Sequence, residues 1–342
     1  MAASPPHAIL LAGPPSVGKT TLARDLAALL LCDAAPPDRP CHDCRACRRI
    51  DSGNHPDVHV LAPAGPADRI GLGGDPRSPG IRDLIATLAL RPVEGRVRIA
   101  IVERAHRLSE DAQHALLKTL EEPPPDTCIV LCADEEEALL ETVRSRCARV
   151  RLGSVETRRI EELLEAHGAA DRPTAARLAR IVRGRPGEAL RLASSPDVVV
   201  ARAEIARLLI DLSAVGRSIR LARAREALTR AVEIVGGGDP PDADVDGAGA
   251  RRSPAARRRG AQWLVAIWRD VAYDIALGQL GGSSPREPDL LEETRAVGAM
   301  VPAGSMTAFL SRLDEAARRL DASASPELAL DVLALTWPSR DG

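Results

Sequence analysis

The segment Gly13-Pro14-Pro15-Ser16-Val17-Gly18-Lys19-Thr20 constrains this chain more than any other. It fulfils the pattern G-x-x-x-x-G-K-[ST] and lies between an apolar run, Ala8–Ala12, and a helical pattern that starts near Lys19. In a strand-loop-helix setting, successive backbone N–H groups wrap phosphate oxygens and the helix N-terminus adds partial positive charge. Lys19 is expected to neutralise the β- and γ-oxygens and Thr20 to ligate Mg²⁺; Gly13, Gly18 and Thr21 complete the expected nucleotide-binding set. The competing reading is a glycine-rich turn that holds nothing.

Around this loop, short apolar runs alternate with amphipathic helical patterns. Runs at 8–12, 58–61, 97–102, 129–133 and 148–151 predict a parallel sheet with helices on both faces. Stretches rich in Gly and Pro at 63–80 and 122–126 interrupt the pattern as loops. Past residue 153 the periodicity becomes helical, with Gly184-Arg185-Pro186-Gly187 as a turn between two helices. Residues 236–260 lose apolar periodicity and predict a flexible loop. Helices are expected again at 261–280, 288–300, 305–320 and 326–337. The expected fold is therefore α/β followed by all-α: an α/β domain at 1–153, a small helical domain at 154–200 and a larger helical domain at 201–342. A chain of 342 residues has room for two or three domains.

Composition narrows the function classes. One Phe, one Tyr and three Trp leave little for stacking on bases, so any nucleic-acid contact is expected to be electrostatic or through the backbone. A net charge of -2 argues against a uniformly basic binder. Arg251, Arg252, Arg257, Arg258 and Arg259 form a local basic cluster, suited to DNA or to a solvated loop. Only Lys19 and Lys118 are lysines among 46 basic residues, which singles out both positions. Residues 1–7 lack the pattern of a secretory signal and no run of 18 apolar residues occurs, so a soluble cytoplasmic protein with no membrane contact is expected.

Cys32, Cys41, Cys44 and Cys47 are spaced C-x8-C-x2-C-x2-C in a Pro-bearing segment just after the P-loop helix. Four soft ligands within tetrahedral reach favour Zn²⁺, and a site closed by four cysteines is structural rather than catalytic. A redox pair or separate free thiols are the alternatives, and His42 is the only nearby substitute ligand. Cys128, Cys132 and Cys147 lie in or beside apolar strands and read as small buried hydrophobes.

Nucleotide hydrolysis needs more than a cradle. After the run Ile99-Ala100-Ile101-Val102, Glu103 takes the place of a Mg²⁺-side carboxylate, but Arg104 takes that of the base. An arginine accepts no proton at neutral pH. His106 is a substitute on paper, against a local packing role.

Gln113-His114-Ala115-Leu116-Leu117-Lys118-Thr119-Leu120-Glu121-Glu122-Pro123-Pro124 and Thr142-Val143-Arg144-Ser145-Arg146-Cys147 give the chain a resemblance to bacterial DNA polymerase III clamp-loader subunits of the AAA+ class. The four-cysteine module in the same place after the P-loop adds to it. The resemblance runs over residues 9–190 and implies an AAA+ module, a helical lid and a C-terminal helical collar. It implies that Arg146 is an arginine finger that reaches ATP held by a neighbouring subunit; a surface arginine is the plainer reading. It implies other AAA+ subunits in a hetero-pentamer, the sliding clamp and primed DNA as partners. Two kinds of subunit share these marks, and departures separate them. The motor type carries Asp-Glu where this chain has Glu103-Arg104, a polar sensor near Ala133-Asp134, and a sensor arginine at the place of Gly187. The altered set resembles the non-motor delta-prime type, with nucleotide bound but not turned over by this chain alone. The gamma/tau motor type is the alternative, and a small-molecule P-loop kinase is a more distant one.

Overall fold

In a computed structural model the described residues are 6–63, 68–74, 79–235, 253–282, 286, 288–322 and 324–339. They fall into two compact units. The first takes in residues 1–156 and 184–188, the second 157–183 and 189–342.

The first unit is built on five parallel strands, β1 (Ala8–Ala12), β2 (Val58–Leu61), β3 (Arg98–Val102), β4 (Thr127–Ala133) and β5 (Ala148–Arg151), in the order β2-β3-β4-β1-β5. Alternation along β1 explains both faces. Ile9 and Leu11 pack with Ala23, Ala27 and Leu31 of helix α1 (Lys19–Leu31) and with Cys47 and Ile50 of α2 (Arg45–Asp51). Ala8 and Leu10 face the opposite core, shared with α3 (Ile81–Leu88), α4 (Glu110–Glu121) and α5 (Glu141–Arg144). The α/β expectation with helices on both faces is met. In register, Ala12 pairs with Ala133, and Val102 with Leu131. All strands therefore end on one edge, where the next residues are Gly13, Glu103 and Asp134. That edge, outside the carboxyl ends of parallel strands, is where open α/β sheets bind ligands.

The second unit is helical: α6 (Thr157–Ala166), α7 (Arg172–Val182), the later part of α8 (Pro186–Ala193), α9 (Pro196–Asp211), α10 (Arg217–Val235), α11 (Pro254–Gln279), α12 (Leu291–Met300), α13 (Ser305–Asp321) and α14 (Pro326–Leu335). Trp268, Phe309 and Trp337 form its centre, with ring centroids 4.9 to 5.9 Å apart. Phe309 and Trp337 meet edge to face, the arrangement the ring quadrupoles favour.

Part of the loop expected at 236–260 is helix. Residues 236–252, with Arg251 and Arg252, lie outside the described residues, but α11 begins at Pro254, seven positions before the expected start. Ser253 caps it by accepting the Ala256 N–H at 3.1 Å, and Pro254 stands in its first turn. Arg257, Arg258 and Arg259 are thus helical residues, and Arg257 pairs with Glu327. Among the described residues no helix is long and apolar enough to cross a membrane.

Candidate functional site: phosphate cradle and cysteine cluster

The chain leaves β1 through a loop of unusual backbone conformation. Gly13 has φ of 150°, Ser16 of 60° and Gly18 of 104°. A Cβ on Gly13 would lie 2.2 Å from the Leu152 carbonyl oxygen, so the loop presses against β5's exit and only glycine fits. Gly18 caps α1, which places the positive end of that helix at the cradle. The residues fit a phosphate group: a glycine-bearing loop, a helix N-terminus and a lysine come to one point.

Lys19 is buried, at 6% exposure. Its Nζ donates to the carbonyls of Gly13 at 2.7 Å and Pro14 at 2.6 Å, and meets Asp134 Oδ1 at 2.6 Å. Three acceptors match the three N–H bonds of an ammonium. Asp134 is held in turn by His106, whose Nδ1 accepts the Asp134 backbone N–H at 3.1 Å and whose Nε2 lies 3.8 Å from Oδ2. Burial keeps the His106 imidazole below its usual pKa despite Asp134, so it is neutral at pH 7. His106 thus packs and positions, as the plainer reading had it.

Cys132 shows how closely the other groups gather. Burial foremost, with the charges of Glu103 and Asp134, pushes its thiol up to about 12 against the opposing effects of Lys19 and a hydrogen bond with Thr20. Thr20, Lys19, Glu103 and Asp134 therefore share one neighbourhood at the strand ends. Glu103 also sits 3.6 Å from Arg24. Thr21 is exposed on α1. Arg104 turns away in a left-handed conformation, φ 49°, and makes a bidentate pair with Asp68 at 2.7 and 2.7 Å. The position expected from the sequence to hold a base thus carries a guanidinium anchored to Asp68.

Gly187 lies against the cradle: its N–H donates to the Ser16 carbonyl at 2.9 Å, and a Cβ there would stand 3.2 Å from the same oxygen. Arg185 pairs with Glu188 at 2.8 Å.

Arg146 sits apart from this group. Its Nη1 donates to the Thr142 carbonyl at 2.9 Å and its Nη2 pairs with Glu121 at the end of α4. The α4 motif has a second use as a brace. Gln113 is buried, donates to the carbonyls of Leu108 and Ala138, both at 3.3 Å, and accepts the Leu140 N–H at 2.7 Å. It thereby fixes the start of α5, the helix that carries the Ser145-Arg146-Cys147 step. Lys118 is exposed on α4.

The four cysteines converge as their spacing predicts. Their sulfurs all lie within 4.8 Å of one another, with Cys32 to Cys41 at 3.5 Å and Cys32 to Cys44 at 3.9 Å. A tetrahedral zinc with bonds of about 2.3 Å needs sulfurs roughly 3.8 Å apart, so the set fits. Cys32 accepts N–H bonds from Ala34 and Cys41, Cys41 from Cys44, and Cys44 from Cys47, all at 3.3 to 3.5 Å. The Cys41 N–H is the main cause that holds Cys32 below the usual thiol range, whereas burial pushes Cys47 up to about 12. Such donors favour thiolate sulfur. His42 is exposed and outside the cluster. Cys128 and Cys147, driven to about 11 by burial, are inert fillers of the core.

A P-loop at the ends of a parallel sheet, followed by helices, defines a P-loop α/β protein with a helical C-terminal region. The sequence model of the family described as "DNA polymerase III, delta subunit" matches residues 2–156. Over 202 residues the chain is 31% identical to the DNA polymerase III subunit delta' of Bacillus subtilis, a match covering 59% of this chain and 58% of that one. Over 191 residues it is 32% identical to the DNA polymerase III subunit tau of Escherichia coli, covering 54% of this chain and 28% of that one. The crystal structure of a DNA polymerase III gamma subunit-related protein from Thermotoga maritima aligns at a TM-score of 0.43 and 18% identity, over 98% of this chain and 95% of that one. The chain spans less than two thirds of the length of these curated relatives. Relatives from Pseudomonas aeruginosa and Escherichia coli that the chain matches are likewise named DNA polymerase III subunit delta'.

Proposed function

We propose that this chain is the non-motor, delta-prime-type subunit of a bacterial replicative clamp loader, working in the cytoplasm in a hetero-pentamer with other AAA+ subunits. It helps place the sliding clamp on primed DNA and contributes Arg146 to ATP held by a neighbour. In this reading residues 1–153 form the AAA+ α/β domain, 154–200 the lid and 201–342 the collar. The observation that carries the reading is the Arg104–Asp68 pair, which puts a fixed guanidinium where a hydrolytic base belongs. Asp134 and Gly187 at the two sensor places agree with it. The cradle takes nucleotide through the backbone of 13–18 and Lys19, with Thr20 and Glu103 as the groups that hold Mg²⁺. Bound Mg²⁺ would neutralise phosphate charge; without a base the site stays a binding site. Zn²⁺ at Cys32, Cys41, Cys44 and Cys47 ties the segment after α1 into a rigid staple.

A guanidinium matches phosphate oxygens with a fixed fork, and a finger supplied in trans typically contributes ~10³-fold or more to turnover. Arg146→Ala should therefore lower DNA-stimulated ATPase of the assembled complex at least about tenfold while leaving assembly intact. Unchanged turnover removes the finger from the proposal. ATPase of the isolated chain at motor rates overturns the non-motor reading. The tau match supports a second reading as a gamma/tau-type motor, in which Glu103→Gln abolishes turnover by the isolated chain.

A further inference from the structure

Lys19 and Asp134 are 115 positions apart in sequence and meet only because β1 and β4 are neighbours, with Ala12 beside Ala133. The ion pair they form is one of three contacts that close the shell of Lys19: two loop carbonyls and one carboxylate use all three donors of the ammonium. Any phosphate oxygen that takes up Lys19 must displace one of these acceptors, and the carboxylate is the only one carrying charge. The Asp134 backbone N–H is tied to His106 Nδ1, and His106 is itself buried and neutral. The backbone that carries the carboxylate is therefore fixed at the strand end, beside Lys19, in a partly buried setting where charges interact more strongly than in water.

We propose that Asp134 is a resident competitor for the phosphate at Lys19, a specificity-determining residue that weakens nucleotide binding and disfavours triphosphate more than diphosphate. The inference rests on the reading of residues 13–20 as a nucleotide site. Its logic is one of charge: the carboxylate cancels the cation that should attract phosphate and repels the additional negative charge of a triphosphate. His106 acts as a positioning residue. The neutral amide of asparagine keeps the size and the polar contacts of the side chain but removes the charge, so it separates competition from packing.

The test is isothermal titration of the full chain with ADP and with ATP, each in Mg²⁺ and in EDTA, for wild type, Asp134→Asn, Asp134→Ala and Lys19→Ala. Thermal melts confirm that each variant is folded. Both Asp134 variants should bind ATP at least about tenfold more tightly than wild type, with a smaller gain for ADP, in Mg²⁺ and in EDTA alike. Lys19→Ala should abolish binding of both. Equal affinities in wild type and both Asp134 variants, with Lys19→Ala still silent, overturn the competitor while the nucleotide site stands. Weaker binding by the Asp134 variants in Mg²⁺ alone also overturns it, because Asp134 then serves the metal. No binding by wild type or either Asp134 variant rejects the nucleotide site itself, and the competitor with it.

Discussion

The phosphate cradle and the cysteine cluster flank the same helix. Gly18 caps the N-terminus of α1 and Cys32 caps its C-terminus, so one rod of thirteen residues carries a motif at each end. At the C-terminal end four sulfurs converge on a space of metal-bond dimensions, and those of Cys32, Cys41 and Cys44 accept backbone N–H bonds that favour thiolate. At the N-terminal end the chain has already supplied an anion of its own, Asp134, to the cation of the motif. Both motifs are complete as strings of residues. They differ in whether the surrounding fold leaves their charge uncompensated, and that difference separates a site that requires its ligand from one that resists it.

The largest effect should come at the cysteine end. Double replacement Cys44→Ser/Cys47→Ser should reduce bound zinc from about one per chain to none and expose Arg45, Arg48 and Arg49 to trypsin, because metal binding in such modules is folding free energy. Elemental analysis and a proteolysis time course check it; metal-free wild type with unchanged protection breaks the comparison. A smaller effect is expected at the cradle, where Gly13→Ala forces a Cβ against the Leu152 carbonyl in a left-handed conformation. That should cost about 1–3 kcal/mol or more by chemical denaturation. Gly18→Ala meets no atom within 4 Å and carries only the dihedral penalty, so it should cost less. Equal losses at both glycines would place the strain in the dihedral alone. The smallest effect concerns His106. Burial lowers its folded-state pKa below the unfolded value near 6.5, so the unfolded chain takes up the proton first as pH falls. Stability should thus be full above that pH and decline below it, and His106→Gln should flatten that slope by up to ~1 kcal/mol at pH 5.5. An unchanged slope in the variant assigns the decline to other groups.

The sheet was readable because its central strands β1, β3 and β4 are buried along their whole length and bounded by loop chemistry. β1, β2 and β5 lie where their apolar runs do, and β4 starts two residues earlier, at Thr127, whose hydroxyl donates to the Pro124 carbonyl. The start of α11 was hidden by Gly260, which reads as a loop residue. In the structure Gly260 is a contact residue: a Cβ there would lie 2.6 Å from Val232 Cγ2, so the glycine lets α10 and α11 approach. The four sulfurs of the metal cluster were legible for a similar reason, since all lie within one short segment. Asp134 as the partner of Lys19, Asp68 as the anchor of Arg104 and Glu121 as the partner of Arg146 were not, because each pair joins distant stretches that only sheet order brings together.

The aromatic core of the second unit has a practical consequence for anyone who handles the protein. All three tryptophans, Trp263, Trp268 and Trp337, and the single Tyr273 and Phe309 fall in that unit, and residues 1–156 contain no Phe, Tyr or Trp. Indole fluorescence is therefore a spectroscopic label for one half of the molecule. A melt followed at tryptophan wavelengths reports the helical unit alone, whereas far-ultraviolet dichroism sees both, and any gap between the two curves measures the independent stability of the half that carries the phosphate cradle.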